Sequence, residues 1–182
     1  QDLSDLSIFS LTSLTKLNLS YNQISSVNDS IGNLTNLKEL TLSDNPLDSL
    51  PSTARTLSKL ETIDVSSCQF FDEEDLDKLF QILSHMPNLL KIDLSYNDIE
   101  DLPESVGLLT SIKSLDLSFN ALIELPSTFD NILTNLEYLD LTSNTNDPYG
   151  LEWLLDVPNL AVELYTKIGK WEVAHKLAMT YM

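Results

Sequence analysis

The apolar positions of this chain recur in a single nine-residue phrase. Leucine or isoleucine fills the first, fourth and sixth places, and a polar residue closes the ninth. The phrase reads Leu14-x-x-Leu17-x-Leu19-x-x-Asn22 and returns with closers at Asn45, Asn97, Asn120 and Asn144. A further copy, Leu60-x-x-Ile63-x-Val65-x-x-Cys68, carries cysteine in the asparagine slot. Successive closers lie 23, 23, 29, 23 and 24 residues apart. A fixed period of this length predicts a solenoid, in which each unit buries its apolar face against its neighbours.

Within each phrase the alternation of apolar and polar places predicts a short strand. Leu17 and Leu19 point inward and Asn18 points outward, because side chains alternate across a strand. Stacked units then give a parallel sheet. Each closing asparagine turns away from that sheet with its amide buried, where it can satisfy backbone groups the turn leaves free. The second halves of the short units share Ile24-x-x-Val27 with Ile31 and Leu34, Leu47-x-x-Leu50-Pro51 with Leu57, Ile99-x-x-Leu102-Pro103 with Val106 and Leu108, and Leu122-x-x-Leu125-Pro126 with Phe129 and Ile132. Proline after the last leucine disfavours helix and cannot join a ladder, so these segments are read as turns and short extended or 3-10 pieces. The long unit differs. Leu76, Leu79, Phe80 and Leu83 mark one face of a helix, acidic residues 72–75 stand at its start, His85 stands near its end and Pro87 stops it.

Residues 11–144 resemble leucine-rich repeat proteins. Ser30-Ile31-Gly32 and Glu104-Ser105-Val106-Gly107 are similar to the class with Leu-Pro and Ile-Gly signatures, and the long unit is similar to the ribonuclease-inhibitor class. The resemblance implies an α/β solenoid, a horseshoe with a parallel concave sheet, an irregular or 3-10 convex side and one convex helix near 72–85. It also implies a module that binds proteins. The domain reading is a solenoid over 1–144 and a helical C-terminal cap over 145–182. In the latter stretch, Ala161 to Tyr165, Gly169 to Glu172 and Ala174 to Ala178 resemble one tetratricopeptide-like helix pair of the large intraflagellar-transport subunits. That makes the start of a tetratricopeptide-like segment the other reading of 145–182, with strand and helix both open for 160–168.

Charge narrows the partners. The 182 residues hold 28 acidic groups against 10 lysines and arginines, a formal charge of −18. Such a chain repels nucleic acid and anionic membrane surfaces and favours basic protein partners. The lone cysteine rules out an internal disulfide and points to a reducing compartment, the cytoplasm, with a cilium or cytoskeletal setting if the tail resemblance holds. Half a repeat at residues 3–11 suggests a chain that begins in mid-array.

The outward strand positions form columns. Asn18, Thr41, Asp64, Asp93, Asp116 and Asp140 make one, with four successive aspartates, either a contact line for Lys or Arg of a partner or a solvated face of a common repeat form. Lys16, Glu39, Thr62, Lys91, Ser114 and Tyr138 make the next, and Tyr21, Asp44, Ser67, Tyr96, Phe119 and Ser143 a third. Tyr96, Phe119 and Tyr138 on adjacent units are expected to form one aromatic patch. Trp153 and Trp171 sit in helical apolar patterns and read as packing residues. Cys68 belongs to the repeat, and neither histidine has a partner at triad or metal spacing. No enzyme activity, metal or cofactor is expected. Three functions follow: an interaction module that serves as scaffold or adaptor, a structural subunit of a ciliary or cytoskeletal assembly, or a regulatory domain of a larger enzyme.

Overall fold

The structure, a computed structural model, describes residues 7–122 and 124–144. The expected C-terminal cap, the tetratricopeptide-like pair, Trp153 and Trp171 lie outside the described residues. Six three-residue strands form one parallel sheet in chain order: β1 (Lys16–Asn18), β2 (Glu39–Thr41), β3 (Thr62–Asp64), β4 (Lys91–Asp93), β5 (Ser114–Asp116) and β6 (Tyr138–Asp140). Their register puts the middle residues Leu17, Leu40, Ile63, Ile92, Leu115 and Leu139 in one row. The ladder runs on past the strands, with Leu94 N–H donating to the Asp116 carbonyl at 2.9 Å and Tyr96 N–H to that of Ser118 at 3.1 Å. The inward residues pack into one continuous core from Phe9 to Leu133.

The asparagine ladder joins unit to unit. Asn120 Nδ2 donates to the Leu94 carbonyl of the preceding unit and to Leu117 of its own, both at 3.0 Å. Its Oδ1 accepts from Asn97 N–H at 3.0 Å and Ile99 N–H at 3.1 Å. Asn97 repeats the arrangement towards Val65, Cys68 and Phe70. Asn45 and Asn144 do so towards Leu19 and Ile24, and towards Leu117 and Leu122. All four side chains are buried. Asn22 departs from the expectation: it is exposed, and its amide reaches only the Leu19 and Ser20 carbonyls of its own unit. Among the described residues no strand pairs with the outer edge of β1. Cys68 is half-buried rather than sealed in, and its Sγ reaches the Leu42 carbonyl at 3.4 Å. A thiol cannot accept as an amide oxygen does, so this rung is weaker. Burial pushes the Cys68 thiol up to about 11, partly opposed by the N–H groups of Asn45 and Leu47 aimed at the sulfur.

A second ladder runs along the other rim, before the strands. Asn36, Asn88 and Asn135 donate through Nδ2 to the carbonyls of Thr12, Ser58 and Thr110 in the preceding units, at 2.9, 2.8 and 2.7 Å. Each of these asparagines stands just before the first leucine of the phrase. Ser111 does the same for the Leu89 carbonyl at 3.1 Å.

The return segments are 3-10 turns at Asp29–Asn33, Ser52–Thr56, Glu104–Leu108 and Ser127–Phe129. Pro51, Pro103 and Pro126 immediately precede three of them in extended conformation, which places the residue lacking an N–H where no helical bond is needed. Asn28 starts the first by accepting Ser30 N–H at 2.8 Å. One turn of 3-10 geometry spans three residues, so buried pairs fall at i and i+3: Ile31 with Leu34, Ala54 with Leu57, Phe129 with Ile132. The same spacing corrects one expectation. Leu109, three residues after Val106, is buried, whereas Leu108 is 53% exposed.

The long unit carries α1 (Glu73–Leu83), capped by Asp72, whose Oδ1 accepts Glu74 N–H at 2.8 Å. Leu76, Leu79, Phe80 and Leu83 are buried as their spacing predicts. A short α2 (Asp130–Leu133) follows the last 3-10 turn. Unit stacking on this side is tight at Gly107, where a Cβ would come within 2.5 Å of Thr128 Cβ and 2.6 Å of its carbonyl oxygen.

Asn120→Ala removes an amide serving both units and orphans two buried N–H groups, so it is expected to destabilise the fold by about 3 kcal/mol, against under about 1 kcal/mol for Asn22→Ala. Gly107→Ala should cost about 1–3 kcal/mol through overpacking. Urea unfolding of the three variants measures these differences.

Candidate functional site

The sheet face is set by the strand register. Asp64, Asp93, Asp116 and Asp140 stand side by side on β3 to β6. Their first task is local. Asp93 Oδ1 accepts from Ser95 N–H at 3.0 Å and from its hydroxyl at 2.7 Å. Asp64, Asp116 and Asp140 repeat this with Ser66, Ser118 and Thr142, and so does Asn18 with Ser20. Each acid thereby closes the turn that ends its strand, as short polar side chains do at turns. The stripe of charge remains, half-exposed, on the sheet face.

The middle and the end of the stripe differ. Burial pushes the Asp93 carboxyl above its ordinary range, and the flanking charges of Asp64 and Asp116 add to this, against the two hydrogen bonds from Ser95. At Asp140 burial also pushes upward but is overcome. Thr142 donates twice to Oδ1, the Tyr138 hydroxyl donates to Oδ2 at 2.9 Å, and the carboxyl falls below its ordinary range.

The third column has a backbone signature. Tyr21, Asp44, Ser67, Tyr96, Phe119 and Ser143 all adopt left-handed conformation, with φ between 50° and 58°. A non-glycine residue held there is strained by roughly 1 kcal/mol. At each site the next residue is the ladder asparagine or Cys68, whose bonds hold the turn. The conformation leaves Tyr96 52% and Phe119 44% exposed, and their rings stack with centroids 4.2 Å apart and planes 7° from parallel. Two aromatic faces on neighbouring units thus form one platform.

Tyr138 belongs elsewhere. It occupies the first strand position of β6, in register with Ser114 and then Lys91, and its hydroxyl is held by Asp140. The three aromatics therefore do not form one patch. The pair is Tyr96 with Phe119, and Tyr138 extends the acidic stripe with a phenol. Lys91 is exposed at the head of β4. In the same column Lys16 pairs with Glu39 at 2.8 Å.

Two recesses carry residues that the repeat pattern did not single out. One, of about 450 Å³, is lined by Phe71, 56% exposed, with Asp72, Glu73, Asp98, Glu100 and Asp101. The other lies between the turn at Ser52–Thr56 and α1. The doubled Phe70-Phe71 in the long unit was the available signal for the first, since only one phenylalanine is needed by the core and Phe70 fills it. Among the described residues, no set of three or more His, Cys, Asp and Glu side chains is arranged to hold a metal ion, and no helix is long and apolar enough to cross a membrane.

Carboxyl titration followed by NMR should give Asp93 a higher midpoint than Asp140, and Asp64→Asn or Asp116→Asn should lower the Asp93 midpoint. The linked stabilities have opposite signs. Asp140 stabilises above its unfolded value, and this is lost as pH falls through its folded one. The penalty at Asp93 is relieved as pH falls through its raised value.

Known proteins show the same pattern. Family models described as leucine rich repeat match residues 1–47 and 12–70, 85–102 and 111–132. No curated protein matches the chain. Among solved structures, a leucine-rich repeat protein of Leptospira interrogans is 30% identical, with a TM-score of 0.66 over 84% of this chain and 37% of its own. An internalin of Listeria monocytogenes is 19% identical, with a TM-score of 0.53 over 87% of this chain and 46% of its own, a likeness of fold alone. The chain thus spans less than half the length of either.

Proposed function

Because this chain belongs to the leucine-rich repeat family, whose fold generally mediates protein–protein interaction, we propose that it binds a protein partner through its sheet face, as a scaffold or adaptor. The observation that carries this reading is the exposed Tyr96–Phe119 stack standing beside the middle of an acidic stripe, three residues beyond Asp93 and Asp116. Aromatic side chains held rigid and half-exposed lose little entropy on binding, and such residues dominate interface energetics. The stripe from Asp64 to Asp140 supplies the complement for a basic segment. Lysine or arginine of that segment would meet carboxylates first and the aromatic faces beside them. Lys91 and Tyr138 at the heads of their strands would border the contact.

A binding role suits the site better than a catalytic one. The carboxylates stand on an open face, and each spends one oxygen on its own turn. The free thiol of Cys68 suits a reducing, cytoplasmic setting.

Affinity capture from native extract, repeated with the double variant Tyr96→Ala and Phe119→Ala, tests the assignment. A protein retained by the parent chain should bind at least tenfold more weakly to the double variant and equally well to Glu124→Gln, used as a control. Binding should also weaken as salt rises from about 0.05 to 0.5 M, because exposed charge pairs are screened. Unchanged retention by the double variant would remove the aromatic pair from the interface.

A further inference from the structure

The recess beside α1 is built by the return segment and the helix rather than by the strands, and no carboxylate lines it. It encloses about 390 Å³ and has an apolar floor of Leu50 and Ile82. Its walls are Arg55 and Ser52 from the 3-10 turn and Lys78 and His85 from α1 and the residues just after it. Arg55, Lys78 and His85 at one recess, with no carboxylate among its lining residues, are a local contrast in a chain of charge −18. Among the described residues, most lysines are occupied. Lys16, Lys38 and Lys113 hold Glu39, Glu61 and Glu137, Lys59 donates to Asn36 Oδ1, and Lys78 is held by Glu74 and Asp75. Arg55, the one arginine in the sequence, is exposed, and its side chain makes no ion pair or hydrogen bond among the described residues. Its guanidinium therefore offers a full fork of donors beside the apolar floor. Across the recess, His85 Nδ1 donates to the Gln81 carbonyl at 2.8 Å, which fixes the ring as a wall.

We propose that this recess is a second binding site, for an acidic peptide segment that sets a leucine-sized side chain on Leu50 and Ile82 and a glutamate carboxylate on Arg55. The match is one of charge and shape together: the guanidinium suits a planar carboxylate, and the floor suits the apolar neighbour. The rest of the surface repels such a segment, so the recess selects it by contrast. With the sheet face turned to a basic partner, the two sites are built by different elements and carry opposite charge preferences. A chain that holds two different proteins at once needs both properties.

The probe is a capped pentapeptide of alternating leucine and glutamate, followed by amide NMR shifts on the full chain. Shifts are expected at Arg55, Gln81, Ile82 and His85, saturating with peptide concentration. Arg55→Glu should weaken binding by at least about fivefold, the scale of an exposed pair lost and reversed, and Arg55→Lys, which keeps the charge but not the fork, should fall between it and the parent. The Tyr96→Ala and Phe119→Ala double variant should bind the peptide as the parent does, which separates this site from the sheet face. Arg55 has no partner to lose, so its variants should keep the parent's circular dichroism and unfolding midpoint. The proposal is overturned if the glutamine version of the peptide binds equally, if Arg55→Glu leaves affinity unchanged, or if inorganic phosphate binds the recess as tightly as the peptide.

Discussion

Everything in this solenoid depends on the bond between a carboxamide and the backbone of the neighbouring turn. A three-residue strand has too few ladder bonds to hold register by itself. The asparagine at the end of each phrase supplies the remainder. Its nitrogen binds carbonyls of two successive units and its oxygen binds N–H groups of the unit before it. Burial makes these bonds costly to lose, because no water can replace them. The apolar core then packs around a backbone whose polar groups are already satisfied. The rim asparagines at Asn36, Asn88 and Asn135 repeat the device at the other end of the strands. A unit that carries both asparagines is therefore pinned at both ends of a strand that would otherwise slip.

The same economy governs the sheet face. Asp64, Asp93, Asp116 and Asp140 look like surface charge, yet one oxygen of each is committed to the turn that follows. Under the proposed binding role, structure and recognition share one side chain. Replacing such an acid to probe binding also loosens a turn, whereas Tyr96 and Phe119 make their stack without supporting the fold through hydrogen bonds of their side chains. The aromatic pair is the cleaner handle on function for that reason.

Most of the fold was legible in the sequence because it is periodic. Strand register, the inward rows, the helix over 73–83 and the 3-10 returns all follow from spacing and from proline. The site was less legible, since it depends on backbone angles that a period does not encode. The left-handed turn brings Tyr96 against Phe119, and nothing in the alternation of leucines announces it. Tyr138 shares their chemistry but not their place in the repeat, so its type suggested a neighbour it does not have. Leu108 was misplaced for a similar reason: a strand or α-helical eye does not count in threes. Asn36, Asn88 and Asn135 stood in plain view before the first leucine, but the second ladder becomes visible only when one unit is laid on the next.

The left-handed column has an evolutionary meaning. In six units it holds Tyr, Asp, Ser, Tyr, Phe and Ser, none of them glycine. In five of the six the turn is held by the amide one residue later, and in the sixth by the thiol of Cys68, so the side chain at the column position is not what holds it. That makes the position an interchangeable slot on a repeated rack. New specificities can be written there one residue at a time, and the spine behind them need not be revised.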